Sequence, residues 1–94
     1  TISAADAVQM GLATEVVTDD DFAQRVQEVS QRLATGPTKA YASIRSAVAF
    51  SASHTFVESL AHEGTLMTVT GSTADHRRAV DAFVAKQAPV FEGR

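Results

Sequence analysis

Residues 72–94 read STADHRRAVDAFVAKQAPVFEGR, a stretch that predicts an amphipathic helix around which the rest of the chain is organised. Ser72 and Asp75 have the spacing of a capping box, in which a hydroxyl and an acid three residues later satisfy free N–H groups at a helix start. We expect this helix to end at Pro89 and its aromatic residue, Phe83, to be buried. The apolar face at helical spacing consists of Ala79, Val80, Phe83 and Val84. The basic side chains beside that face are Arg77, Arg78 and Lys86.

Composition limits the classes of protein that the chain can represent. Its 94 residues, 45% hydrophobic and 20% charged, fit one small domain. A net charge of -3 argues against a nucleic-acid-binding protein, which needs a basic surface. The absence of cysteine excludes disulfides and thiolate metal sites. No apolar run reaches the length of a membrane span and no signal peptide opens the sequence, so we expect cytoplasmic localisation without a membrane partner.

Hydrophobic periodicity predicts an all-α fold with a short leader helix and about four longer amphipathic helices. The leader starts at Ser3 and ends before Gly11, a residue suited to the left-handed position after a helix. Residues 12–17 are rich in β-branched side chains and could form an extended segment or one short strand. Since no partner strand is visible and the chain opens at Thr1 directly before a helix, we interpret it as a piece of a longer protein.

The following helices are delimited by their own start and stop residues. Three aspartates at 19–21 favour a helix N-terminus, where the dipole is positive, and this explanation is preferred over a cation site. Gly36 and Pro37 predict the junction between two helices. Thr55 and Glu58 form a second capping-box pattern. The apolar stripes of these helices are led by Phe22, Val26, Val29, Leu33, Tyr41, Ile44, Val48, Val57, Leu60 and Met67.

Candidate catalytic and metal-binding patterns are weak when taken alone. The histidines at 54, 62 and 76 lack the spacing of a metal pair, and surface or capping roles are favoured. His62 and Glu63 are adjacent on a helix and so face different directions; we expect Glu63 to pair with a basic residue of a neighbouring helix. Phe83 and Lys86, one helical turn apart, could stack on a base and hold a phosphate. On spacing alone a core Phe and a solvated Lys are favoured.

Four segments in order resemble the C-terminal part of the enoyl-CoA hydratase/isomerase (crotonase) superfamily. They are ISAADAVQMGLATEVV at 2–17, LATGPTKAYASIRSAV at 33–48, the spacing from Leu60 to Glu63, and AVDAFVAKQAPVFEGR at 79–94 preceded by Ser72 and Asp75. Each is degenerate, but their order and spacing are specific. The junction and the ending are most similar to ring-epoxide isomerases of the phenylacetate pathway.

The resemblance implies that residues 1–94 are the C-terminal helical domain of an enzyme acting on acyl-CoA thioesters, without its ββα-spiral catalytic core. Such enzymes are lyases or isomerases, as in fatty-acid metabolism, and they assemble as trimers or dimers of trimers. The resemblance also implies no cofactor apart from the CoA-thioester substrate, and no catalytic residue in this chain. Hydratase and isomerase activities remain equally open.

By the same resemblance, Phe83 and Lys86 match the residues that hold the adenine and phosphate end of CoA. Gln87 stands where the family has an Arg, and Ala85 where it has a Glu. Arg78 and Ala79 occupy the positions of a Glu-Gly pair. Arg77 or Arg78 could take over the phosphate contact of the missing Arg. The alternative from a different class is a free-standing helical module that binds a protein partner through an exposed stripe.

Overall fold

The computed structural model describes residues 1–94, and helices are its only regular secondary structure, as the periodicity predicted. Its five helices are α1 Ala4–Gln9, α2 Asp19–Ala34, α3 Thr38–Ser51, α4 Phe56–Gly71 and α5 Ala74–Val84. The β-branched segment at 12–17 forms no strand. The leader and the four longer helices are therefore confirmed.

The helix ends in the first part of the chain follow local capping chemistry. Ser3 Oγ accepts a hydrogen bond from the Asp6 N–H at 3.1 Å and so caps α1. Gly11 follows α1 with φ 73°, as predicted. The three aspartates lie in the first turn of α2, where they complement the helix dipole. Behind them, Arg25 joins α2 to the preceding segment through an ion pair of 2.9 Å with Glu15.

The junction and the second capping box are also confirmed. Pro37 occupies the N-cap position of α3, directly after Gly36. Thr55 Oγ1 accepts from the Glu58 N–H at 3.3 Å, and Glu58 Oε2 accepts from the Thr55 N–H at 2.9 Å. The Thr55 hydroxyl also donates to Glu58 Oε2 at 2.7 Å. This bond, and after it the bond from the Thr55 N–H, lowers the pKa of Glu58. α4 continues through Gly71.

The chain divides into two compact units, residues 1–31 and 32–94. Within the second unit, α3 packs against α4, and α4 contacts α5. No helix is both long enough and apolar enough to cross a lipid bilayer.

Neither unit buries a large apolar side chain. The only buried residue is Asp75, at 4% exposure, whereas Phe22 of the α2 stripe is 61% exposed. The apolar stripes predicted to form a core are thus uncovered in the chain taken alone.

Candidate functional site

The start of α5 differs from the sequence prediction by one residue. Thr73, rather than Ser72, is the N-cap, and its Oγ1 accepts from the His76 N–H at 3.1 Å. Ser72 is the C-cap of α4, and its hydroxyl donates back to the Val69 carbonyl at 2.8 Å. Because two adjacent hydroxyl residues could both cap, the capping-box spacing from Ser72 to Asp75 pointed to the wrong one.

Asp75 has another role than the predicted capping box: it holds the C-terminal residues. Its Oδ1 accepts from the Glu92 N–H at 2.8 Å and its Oδ2 from the Gly93 N–H at 2.8 Å. Its own N–H donates to the Arg94 carbonyl at 2.9 Å. We call these three bonds the tail clamp. Gly93 has φ 74° and lies close to Thr38, so a side chain would be strained there.

Arg78 adds a second connection between α5 and the tail. It lies 2.9 Å from Glu92 and 3.5 Å from Asp75. The Glu92 N–H lowers the pKa of Asp75 most strongly; burial opposes this shift, while the N–H of Gly93, the backbone of Arg94 and the charge of Arg78 reinforce it. Hydrogen bonds from Arg94 and then Arg78 lower the pKa of Glu92. Both carboxyl groups are therefore held in their charged forms.

The end of α5 corrects a further expectation. The helix ends at Val84 with Ala85 as C-cap, five positions before Pro89. The Gln87 N–H donates to the Ala82 carbonyl at 2.8 Å and the Lys86 N–H to the Phe83 carbonyl at 3.1 Å. This pair of bonds is the Schellman motif, which satisfies the last free carbonyls of a helix. Lys86 thus lies just beyond the helix and not within it.

Phe83 and Lys86 remain close neighbours because the Schellman motif bonds one to the other. Phe83 is 83% exposed rather than buried, and Lys86 is exposed and forms no ion pair. An exposed aromatic ring and a free cation carried by residues of the same turn can accept a planar base and an anionic group together. We call these two residues the Phe83–Lys86 pair.

The two arginines proposed to replace the family's missing Arg have different surroundings. Arg78 is engaged by the carboxylates of Asp75 and Glu92. Arg77 is exposed and forms no ion pair. Of the two, only Arg77 has a guanidinium without a carboxylate partner.

Two of the three histidines, His54 and His62, form an aromatic cluster with Phe50. The His54 and His62 rings stack on Phe50 at centroid distances of 3.5 and 4.3 Å. His62 Nε2 lies 3.2 Å from Ser46 Oγ, which joins α4 to α3. Glu63 forms no ion pair, so the prediction that it pairs with a basic residue of a neighbouring helix was wrong. No group of three His, Asp or Glu residues is arranged to hold a metal ion.

Comparison with known proteins places the whole chain in one family. The family model described as enoyl-CoA hydratase/isomerase matches residues 1–94. This chain belongs to the enoyl-CoA hydratase/isomerase family. The family resemblance of the four sequence segments is thereby confirmed, together with its helical fold.

Curated relatives from this family include a hydratase and an isomerase. The chain is 38% identical over 93 residues to a probable enoyl-CoA hydratase of Rhodobacter capsulatus, covering 99% of the chain and 36% of the relative. It is 33% identical over 93 residues to the 1,2-epoxyphenylacetyl-CoA isomerase of Escherichia coli, with the same coverage. The chain therefore spans about a third of the length of these relatives.

Solved structures of the family share the helical arrangement. A structure from Mycobacterium abscessus, described as an enoyl-CoA hydratase/isomerase, superposes with a TM-score of 0.94 at 36% identity. The match covers 99% of this chain and 36% of that one, at its C-terminal part. An enoyl-CoA hydratase subunit from Geobacillus kaustophilus gives a TM-score of 0.91 at 26% identity, covering 98% of this chain and 36% of that one.

Proposed function

We propose that this chain is the CoA-binding and subunit-assembly part of an enoyl-CoA hydratase/isomerase family enzyme that acts on acyl-CoA thioesters. The Phe83–Lys86 pair carries the proposal for CoA. An adenine can stack on the exposed Phe83 ring, and the free Lys86 ammonium can bind a nearby phosphate. In this assignment the chemistry is performed by residues outside 1–94, and the chain alone does not catalyse it.

Two further observations support this function. The family match extends over every residue of the chain, and the relatives include enzymes named for CoA thioesters. The exposed apolar stripes of α2 and α3 fit a part that is covered by other surfaces in an assembled enzyme. A free-standing interaction module would also display exposed apolar stripes. CoA binding distinguishes the two functions, because only the enzyme part is expected to bind CoA.

The Lys86→Ala variant of the complete gene product tests the CoA assignment. We expect the Michaelis constant for an enoyl-CoA thioester to rise about tenfold, because a charge-assisted hydrogen bond is lost. Turnover should change by less than about twofold, since a contact far from the reacting carbon contributes equally to substrate and transition state. Steady-state kinetics at varied substrate concentration measure both constants.

Lys39→Ala is the matched control, because Lys39 is the only other lysine of the chain and is also exposed. The Michaelis constant of the Lys39→Ala variant for the same enoyl-CoA thioester should stay at the wild-type value. Equal values for wild type and both variants would remove Lys86 from the proposed site.

The assembly part of the proposal has its own measurement. We expect the complete gene product to sediment as a trimer or a multiple of a trimer, because joining subunits would cover the apolar stripes that are exposed here. Sedimentation velocity over a hundredfold range of protein concentration tests this expectation. A monomer throughout that range would contradict it.

A further inference from the structure

Two helices of this chain end with the same hydrogen-bond pattern. After α1, the Leu12 N–H donates to the Ala7 carbonyl at 2.8 Å and the Gly11 N–H to the Val8 carbonyl at 3.0 Å. After α5, the corresponding bonds from Gln87 and Lys86 measure 2.8 and 3.1 Å. Gly11 and Lys86 thus occupy the same position in two Schellman motifs, and α1 provides an internal reference for α5.

The two motifs differ in the residue that adopts the left-handed backbone. Gly11 has φ 73° and Lys86 has φ 54°. Lys86 is the only residue other than glycine with a positive φ in the chain. A residue with a Cβ is disfavoured in this region, and glycine is the usual choice after a helix. Lys86 therefore destabilises a turn that the same chain closes elsewhere with glycine.

Contacts within the chain give no compensation for this strain. The Lys86 side chain is exposed and forms no ion pair. Its backbone bonds would be made equally well by glycine, as they are at Gly11. What glycine would remove is the side chain with its ammonium group, carried by a backbone position whose N–H is bonded to the Phe83 carbonyl.

We propose that Lys86 is a strained positioning and binding residue, retained at the cost of stability because the left-handed turn sets its ammonium beside the Phe83 ring. This inference rests on the proposed function and adds one statement to it. The backbone turn, and not the charge alone, determines phosphate binding.

Two substitutions at Lys86 separate strain from binding in the complete gene product. Lys86→Gly removes the ammonium and the strain, whereas Lys86→Ala removes the ammonium and keeps the strain. We expect both to weaken binding of CoA about tenfold by isothermal titration. We expect only Lys86→Gly to raise the melting temperature, by about 2–4 °C.

The possible outcomes distinguish this inference from the proposed function. If both variants lose affinity and Lys86→Gly gives no higher melting temperature than Lys86→Ala, the inference of a strained Lys86 is overturned and the CoA assignment stands. If neither variant loses affinity, the CoA assignment fails. The inference that Lys86 is retained for binding at the cost of stability then fails with it, whatever the melting temperatures show.

A charge-matched exchange tests positioning directly. The double variant Lys86→Gln and Gln87→Lys keeps the composition and moves the ammonium one residue along the chain. We expect its CoA affinity to remain as low as that of Lys86→Ala. Recovery of wild-type affinity would show that a nearby charge suffices, and would overturn the positioning role of the turn.

Discussion

Replacing Phe83 with alanine is expected to weaken CoA binding by the complete gene product about tenfold to a hundredfold. Stacking of a base on an aromatic side chain contributes about 1–3 kcal/mol, and the Phe83 ring is 83% exposed and available for it. The Phe83 carbonyl also accepts the Lys86 N–H at 3.1 Å, a backbone bond that alanine preserves. The loss should therefore be one of ring contact only, measurable by isothermal titration with CoA.

Phe56→Ala is the matched control for this variant. Phe56 is also an aromatic residue of the helix surface, at 79% exposure, and it lies in the first turn of α4. We expect Phe56→Ala to retain wild-type CoA affinity. Equal affinity losses in the two variants would show a general effect of aromatic loss, and unchanged affinity in Phe83→Ala would remove Phe83 from the site.

The largest effect on stability is expected for Asp75→Ala. This change removes the acceptor for the N–H groups of Glu92 and Gly93 and leaves Arg78 with one carboxylate partner instead of two. Partly buried donors left without a partner are costly, and we expect the melting temperature to fall by about 5 °C. Thermal unfolding followed by circular dichroism measures the change.

Asp81→Ala provides the control for Asp75→Ala. Asp81 lies on the same helix, is exposed and forms no ion pair. The melting temperature of the Asp81→Ala variant should remain within about 1 °C of wild type, in the range of ordinary surface substitutions. Equal melting temperatures for wild type and Asp75→Ala would contradict a stabilising tail clamp.

The pH dependence of stability follows from the direction of the Asp75 pKa. The backbone N–H of Glu92 leads the contacts that lower this pKa in the folded chain, so the folded state binds the proton more weakly than the unfolded state. The contribution of the ionised Asp75 carboxylate to stability is complete above the unfolded pKa of about 3.9. It is lost as the pH falls from there through the lower pKa of the folded state. The stability difference between wild type and Asp75→Ala should shrink over that acid range.

Local capping chemistry was readable from the sequence because it depends on neighbours three or four residues apart. The Ser3 cap, the Thr55 and Glu58 capping box and the Gly36–Pro37 junction were all predicted and are all present. The error at Ser72 arose in the same chemistry. Two adjacent hydroxyl residues offered alternative starts for α5, and only the end of α4 decides between them.

Long-range pairing was not readable in this way. The tail clamp joins Asp75 to Glu92, Gly93 and Arg94, far along the chain, and nothing in the local spacing shows that the chain returns to the start of α5. The buried aspartate at a helix start was therefore assigned to a capping box. The Schellman end of α5 was missed because its left-handed position holds Lys86, whereas the usual sequence signal is glycine.

The exposed stripes show a further difference between pattern and packing. Periodicity identified the apolar faces, but it does not show whether the surface that covers them belongs to the same chain. Phe22 and Phe83 follow the predicted spacing, and both are mostly exposed.

The absence of a buried apolar core has a consequence for how this chain unfolds. Two quantities scale with the surface that becomes exposed on unfolding: the heat-capacity change, and the slope of the unfolding free energy against denaturant concentration. In this chain most apolar side chains are exposed already. Residues 1–94 alone should therefore unfold with a broad transition and a shallow denaturant slope. Amide hydrogens of α3 and α4 should exchange slowly only once the stripes are covered, so their protection would report docking rather than helix formation.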